Sequence, residues 1–339
     1  MNEDGRTGDA PPAAVVLSGF GRVGQAYARC LADAHADGAP LRLAAVRTST
    51  AQWLPPRDAD WTSPPRPLPD PLPGIAETLA RTRATVLVQA VPSTPEAREW
   101  ATAEAVTALR AGVHVVTAAK AHLLSGWREL AAAARSGGAL VRLSAATGAA
   151  LPAGDLARSG VRGLGCRAVR ACPNGTSTFV LDRLAEGGTL AGALAEARRL
   201  GIAEGDPSAD LSGQDAATKV VLLAALLWGW DASAVRWRTE PVGEDTASAA
   251  RAAAERGRRL RAVASAAADA PHEVRVRLEA TAPGDPMHAL TGPEKAVTYV
   301  CPEAGDITVS GGRSSPLGAA LALLKDTLDV VERPHYGFR

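Results

Sequence analysis

Three features of the sequence predict an α/β protein with a doubly wound parallel sheet, followed by a second, α+β domain. Short apolar runs alternate with helical stretches over about 130 residues from Ala13 onward. A glycine-rich turn stands between the first apolar run and the first helical stretch. After residue 150 the alternation gives way to successive helices and then clustered strands. The length of 339 residues suits two domains of roughly 100–200 residues each.

Taken in order, Met1–Pro12 is a polar tail that reads as disordered. Ala13–Leu17 is a short apolar run and reads as a buried strand, Gly24–Ala34 as a helix and Leu41–Val46 as a second strand. Trp53–Gly74 holds eight prolines, which deny it backbone donors and helical φ/ψ, so it reads as a long surface loop. The alternation then resumes with a helix near Ile75–Arg83, a strand at Thr85–Val91, a helix over Glu96–Ala111 and a strand at His114–Thr117. A helix over Leu123–Ser136 and a strand at Ala139–Ser144 complete a first domain over residues 13–150. A second domain is expected over 151–315. It has a strand at Arg167–Ala171, helices at Thr176–Ala185, Leu190–Leu200, Asp215–Trp228 and Ser248–Ala268, and strands at His272–Ala280, Ala296–Val300 and Asp306–Ser310. The last helix, 316–330, is expected to return to the first domain.

The charge balance, 37 basic against 36 acidic side chains, gives no electrostatic reason to expect nucleic acid or an anionic membrane as partner. No charge-free apolar run reaches the ~18 residues of a membrane span. Four cysteines without CxxC spacing, and no signal peptide, point to a reducing cytoplasm rather than a disulfide framework. No cluster has zinc-ligand spacing, so no metal is expected. Among the basic residues only Lys120, Lys219, Lys295 and Lys325 are lysines. Lysine loses its proton when desolvated and arginine effectively does not, so each lysine in an arginine-rich chain merits inspection.

Gly19-Phe20-Gly21-Arg22-Val23-Gly24 is a GxGxxG turn after a strand and at the opening of a helix. The first glycine permits the turn, the second lets backbone N–H groups approach a pyrophosphate, and the third lets helix and strand pack closely. The helix N-terminus adds free donors and partial positive charge. A Rossmann-type dinucleotide site follows. The second strand ends in Arg47-Thr48-Ser49, with no carboxylate to accept a ribose 2′-OH bond. Arg47 is therefore expected to pair with a 2′-phosphate, favouring NADP, with NAD possible. Val91, Pro92 and Thr117, at later strand ends, complete the cofactor candidates on this sheet.

Lys120 follows the strand His114–Thr117, at the sheet edge where ligands of such folds bind. Asp215 and Lys219 are i,i+4 on one helix face, with the acid N-terminal to the base. The turns after them are almost wholly apolar, so the pair heads a buried helix and is a candidate proton-transfer or substrate-orienting unit. Pro173-Asn174-Gly175-Thr176 is a turn between a strand and a helix, able to line a cleft with amide and hydroxyl donors.

Together these pieces resemble the homoserine dehydrogenase family over roughly residues 13–330. The resemblance rests on the order of GxGxxG, Thr117-Ala118-Ala119-Lys120, Gly148…Pro152, Asn174-Gly175-Thr176 and the run Glu204…Asp206-Pro207…Asp210…Gly213…Asp215…Lys219. It implies a short form without the regulatory ACT domain. The implied reaction is reversible NAD(P)H-dependent reduction of L-aspartate 4-semialdehyde to L-homoserine, in threonine and methionine biosynthesis. By position, Lys120 and Lys219 would be the catalytic pair, with Lys219 favoured as the proton donor. Glu204 and Asp215, with Asn174, Gly175 and Thr176, would hold the substrate. Gly312 and Arg313 would close on the cofactor, and Lys120 would face it. The second domain would bind substrate and form a homodimer, for which the apolar stretch Val220–Trp230 is suited.

The sequence also departs from the family. Ala119 replaces an asparagine, Ala150 a glycine, and Thr178 an asparagine. Ser144 replaces a glutamate on the segment around which the family builds a monovalent-cation site. Gly312-Arg313-Ser314 replaces a Gly-Ala-Gly turn. These changes keep open a divergent relative that acts on another short amino-acid aldehyde or carbonyl, and a non-catalytic nucleotide-binding protein.

Overall fold

The computed structural model describes residues 11–56, 70–203, 206–312 and 314–332. The described chain forms two compact units. The first runs to Ala119 and includes Glu129–Arg142 and the chain from Leu323; the second comprises Lys120–Arg128 and Leu143–Ala322.

The first unit is built on β1 (Ala13–Ser18), β2 (Leu41–Arg47), β3 (Ala51–Trp53), β4 (Asp70–Pro71), β5 (Ala84–Gln89), β6 (His114–Thr117) and β7 (Val141–Arg142). Among the described residues they make one sheet in the order β4-β3-β2-β1-β5-β6-β7. The five strands from β2 to β7 pair in parallel, and β3 and β4 add antiparallel edges. The strand order reverses between β1 and β5, the switch point at which such sheets bind ligands. Helices α1 (Arg22–Ala36), α2 (Ile75–Thr82) and α3 (Pro95–Arg110) connect the strands. On α1, Gly24, Tyr27, Ala28 and Leu31 are buried, the i, i+3, i+4, i+7 face of an amphipathic helix. Thr94 caps α3 by accepting from the Ala97 N–H, with Pro95 opening the helix. Helix α4 (Ala121–Gly137) contributes its later turns to this unit.

In the second unit come α5 (Ser144–Thr147), α6 (Ala153–Asp155), β8 (Ala168–Cys172), α7 (Gly175–Ala185), α8 (Leu190–Arg199), α9 (Ser208–Leu211) and α10 (Gln214–Trp228). They are followed by β9 (Arg236–Thr239), α11 (Thr246–Ala254), β10 (Arg259–Ala267), β11 (Glu273–Thr281), β12 (Ala296–Val300), β13 (Ile307–Ser310) and the first turns of α12 (Pro316–Val331), whose residues from Leu323 belong to the first unit. The sheet order is β13-β12-β8-β10-β11-β9, antiparallel except for β9 on β11. Helix α10 is apolar on nearly every side, and Val220–Leu223 have no solvent exposure, so it is the core helix of its unit. Its ends are set by glycines with positive φ, Gly213 and Gly229.

The structure corrects four expectations. The single helix expected over Ser248–Ala268 is a helix, a turn at Gly257 with φ 66° and then the strand β10. Leu260–Ala264 are all buried, so this central strand shows no polar alternation, and its alanines mimic helix composition. The strand expected over Ala139–Ser144 is reduced to Val141–Arg142, and Ser144 opens a short helix instead. The proline-rich segment carries regular structure at its ends, because Ala51–Pro71 and Gln52–Asp70 pair across it. The apolar stretch Val220–Trp230 lies largely in the core of its own unit, and Val220–Ala225 present no exposed face for a partner. The expected tail falls mostly outside the described residues, as does the middle of the proline-rich loop.

Candidate active site

In the first unit, the glycines of the GxGxxG turn differ in what they accommodate. Gly19 has φ 96°, and a Cβ there would lie 2.4 Å from the Ala90 carbonyl oxygen. A Cβ on Gly24 would lie 2.1 Å from the Gly19 carbonyl oxygen. Both glycines are therefore demanded by the protein's own backbone. Gly21 has φ −77°, and among the described residues no atom beyond its local backbone lies within 4 Å of where its Cβ would stand. Nothing among the described residues requires glycine at Gly21, but a pyrophosphate resting on the α1 N-terminus would. The turn thus fits a dinucleotide, with Phe20, Arg22 and Val23 between its glycines. Thr117, fully buried, accepts from the Ala119 N–H and shapes the turn that leads to Lys120. Val91 packs with Ala101 and Ala119, while Pro92 is exposed.

The Arg47 expectation is overturned. Its side chain is almost fully buried, and its guanidinium donates to Glu104 Oε1, Gln52 Oε1, Thr78 Oγ1 and the Pro73 carbonyl. Glu104 also accepts from Ser18 Oγ at 2.6 Å, so one buried carboxylate joins α3 to β1 and β2. Burial pushes the Glu104 carboxyl up, against the opposing pull of Ser18 and Arg47. Arg47 thus neutralises an interior acid and is not offered to a 2′-phosphate. Thr48 closes the β2–β3 turn through its hydroxyl, leaving Ser49 exposed.

In the second unit, four of the expected substrate and catalytic residues meet around one carboxylate. Asp215, in the first turn of α10, accepts from Lys120 Nζ at 2.9 Å on Oδ1 and from Lys219 Nζ at 2.6 Å on Oδ2. Asn174 Nδ2 donates to the same Oδ2 at 2.8 Å and to Asp210 Oδ1 at 2.5 Å. Asn174 is also the cap of α7, its Oδ1 accepting from the Ser177 N–H. Lys219 Nζ donates to the Pro173 carbonyl at 2.9 Å, so the strand–helix turn and α10 hold this ammonium from two sides. Burial of Asp215 opposes its charge, but Lys219 and Lys120 outweigh it and hold the carboxyl well below the usual range. The Asp215 charge in turn raises the Lys120 ammonium above its ordinary value.

The same geometry adds a residue that the sequence placed in the motif but gave no role. Asp210 is raised by burial and by the neighbouring Asp215 charge. The Lys219 charge opposes that rise, while Asp215 pairs with Lys120 and Lys219 directly. Gly175 opens α7 where a Cβ would lie 2.4 Å from the Pro293 carbonyl oxygen. Thr176 Oγ1 reaches the Ile202 carbonyl. Gly312 has φ 65° and fits closely over Leu151. Glu204 and Arg313 lie outside the described residues.

A sheet with a dinucleotide turn at its switch point, and a lysine–carboxylate cluster in the second unit, are the parts of an NAD(P)-dependent oxidoreductase. A family profile described as homoserine dehydrogenase, NAD binding domain, matches residues 19–144, and one described as homoserine dehydrogenase matches 152–328. The chain belongs to the homoserine dehydrogenase family. It is 29% identical over 248 residues to homoserine dehydrogenase of Methanocaldococcus jannaschii, covering 73% of each chain. It is 30% identical over 270 residues to that of Corynebacterium glutamicum, covering 76% of this chain but only 57% of that relative's length. The crystal structure of a homoserine dehydrogenase from Thiobacillus denitrificans superposes with a TM-score of 0.80 at 27% identity, covering 97% of this chain and 76% of that one.

Proposed function

We propose that the chain catalyses the reversible NAD(P)H-dependent reduction of L-aspartate 4-semialdehyde to L-homoserine. The observation that carries this reading is the single buried carboxylate, Asp215, that holds two lysine ammoniums at 2.9 and 2.6 Å. Carbonyl reduction places negative charge on oxygen, and an oriented N–H donor both stabilises that charge and delivers the proton. Lys219, gripped by Asp215 and the Pro173 carbonyl, is the proposed donor to the nascent alkoxide, and Lys120 is the second cation beside it. Asp215 orients both lysines. Asp210, held by Asn174, is the carboxylate offered to the substrate ammonium, together with Glu204. When bound, the nicotinamide cofactor supplies or accepts the hydride. Gly19, Gly21 and Gly24 shape the cradle for its pyrophosphate.

NADP(H) is the proposed cofactor, supported by the absence of a carboxylate at the tip of β2 and by the exposed hydroxyl of Ser49 beside Thr48. Family membership supports a homodimer, a cytoplasmic location and a role in threonine and methionine biosynthesis. The discriminating experiment is an initial-rate screen of L-homoserine and related amino alcohols against NADP⁺ and NAD⁺. Turnover of L-homoserine with NADP⁺ favoured is expected. No turnover of it from neutral to alkaline pH defeats the reading, and turnover of a different amino alcohol assigns the chain to a divergent substrate.

A further inference from the structure

Lys295, which has no part in the proposed reaction, is buried to 1% exposure just before β12. Its ammonium donates to the Gly148 carbonyl at 2.9 Å. Gly148 ends the short helix α5, and the next residue, Ala149, turns the chain with φ 51°. The Lys295 carbonyl accepts from the Gly311 N–H at 3.0 Å, and a Cβ on Gly312 would lie 2.9 Å from the Leu151 nitrogen. One residue therefore ties the turn at 148–151 to the turn at 311–312, by its side chain on one side and its main chain on the other. Burial, and then the Lys219 charge, push the Lys295 amine down to about 8, with Asp215 opposing, so the group is still cationic at neutral pH.

Burying an ammonium against a backbone carbonyl is costly, and an uncharged side chain fills the same space more cheaply. What the lysine adds is a fixed positive charge on the Gly148 carbonyl, within the field of Lys219 and Asp215. Family resemblance implies a monovalent cation at the segment holding Ser144. The residues present do not fit one. Ser144 brings no carboxylate, and its hydroxyl lies 3.4 Å from Asp155 Oδ1, an oxygen already engaged by Arg158 at 2.9 Å. The Gly148 carbonyl already has its cation.

We infer that Lys295 is a tethered cation: its ammonium does at the Gly148 turn the work of a bound monovalent ion, and makes the fold and its activity independent of added sodium or potassium. The test compares the full-length wild type and Lys295→Met at constant ionic strength in sodium, potassium, ammonium or tetramethylammonium chloride, reading Tm and homoserine-oxidation rate. Wild-type Tm should agree within about 1 °C across the salts and the rate within about twofold; a saturable potassium or sodium requirement of tenfold or more overturns the proposal. Lys295→Met should melt lower and regain about 3 °C or more, saturably, with potassium or ammonium but not with the bulkier tetramethylammonium. A folded Lys295→Met with no ion response overturns it. Should Lys295→Met not fold, Lys295→Gln keeps an N–H donor for Gly148 without the charge. Wild-type Tm in Lys295→Gln shows that the hydrogen bond alone suffices and overturns the proposal; a lowered, ion-responsive Tm supports it. The melting arm needs no substrate, so its outcome is separate from that of the proposed activity.

Discussion

Lys219 is the residue on which the proposed chemistry turns. Replacing it with alanine should lower kcat by about 10²-fold or more, the scale of a lost acid–base group. Near-wild-type turnover in steady-state assays would remove it from the mechanism. The glycine turn offers a sharper contrast. Gly21→Ala places a methyl where the described residues put no atom beyond the local backbone within 4 Å, so the free protein should keep its stability within about 1 kcal/mol. Its NADP⁺ affinity by fluorescence titration should nonetheless fall at least about tenfold, or about 1.4 kcal/mol. Gly24→Ala drives a methyl against the Gly19 carbonyl oxygen and should damage folding itself. If both variants behave alike, the space above Gly21 is not where a dinucleotide rests. Arg47→Met strands a buried carboxylate, Glu104, and should cost about 3–5 kcal/mol in urea unfolding while leaving the NADP/NAD preference unchanged. A changed preference would return Arg47 to the cofactor site. At this scale the sequence was informative where chemistry is local: the i,i+4 spacing of Asp215 and Lys219 and the scarcity of lysine both pointed to the cluster. It was uninformative where partners converge from afar, as when Glu104 and Thr78 claim Arg47, or Gly148 claims Lys295.

Among the elements, α4 carries a pH-sensitive group in its first turn. His122 is buried, its Nε2 has no hydrogen-bond partner among the described residues, and burial pushes its pKa down to about 4. The unfolded chain binds this proton near pH 6.5, the folded chain only near 4. Stability should therefore fall as pH falls through that window, with His122 contributing about 3 kcal/mol of the loss. His122→Phe should flatten this limb in unfolding measured from pH 7 to 4, and an unchanged slope refutes the assignment. Asn174 serves both α7 and the site. Asn174→Ala should cost about 1 kcal/mol as a lost cap, yet lower kcat/KM far more, because Asp210 and Asp215 lose their shared donor. Equal small effects on both would reduce it to a cap. Most helices and parallel strands were legible because apolar runs and helical stretches alternate, as between the strand near Thr85–Val91 and α3. The strand β10 was not, because an alanine-rich strand at the centre of a sheet carries no buried-exposed alternation and only one β-branched side chain, Val263, to announce it.

On the scale of the whole molecule, the two sheets follow the change of pattern near residue 150. The chain nevertheless passes from one unit to the other within α4 and again within α12. Periodicity gives no sign of such crossings, because a helix continues unbroken whichever core its successive turns enter. Tyr27 illustrates the long reach: its hydroxyl meets Thr327 Oγ1 at 2.9 Å across 300 residues. With a formal charge of +1 and a pI near 7.8, the protein should be least soluble close to that pH, as light scattering across pH 6–9 at low salt would show.

The carboxylate that Lys120 and Lys219 share also bears on how rate depends on pH. Asp215 holds the Lys120 ammonium above its ordinary value, so Lys120 gives up its proton only at higher pH than a free lysine does. A neutral Asp215→Asn substitution should therefore move the alkaline limb of the kcat profile that Lys120 sets to lower pH, and an unmoved limb would take Asp215 out of that role.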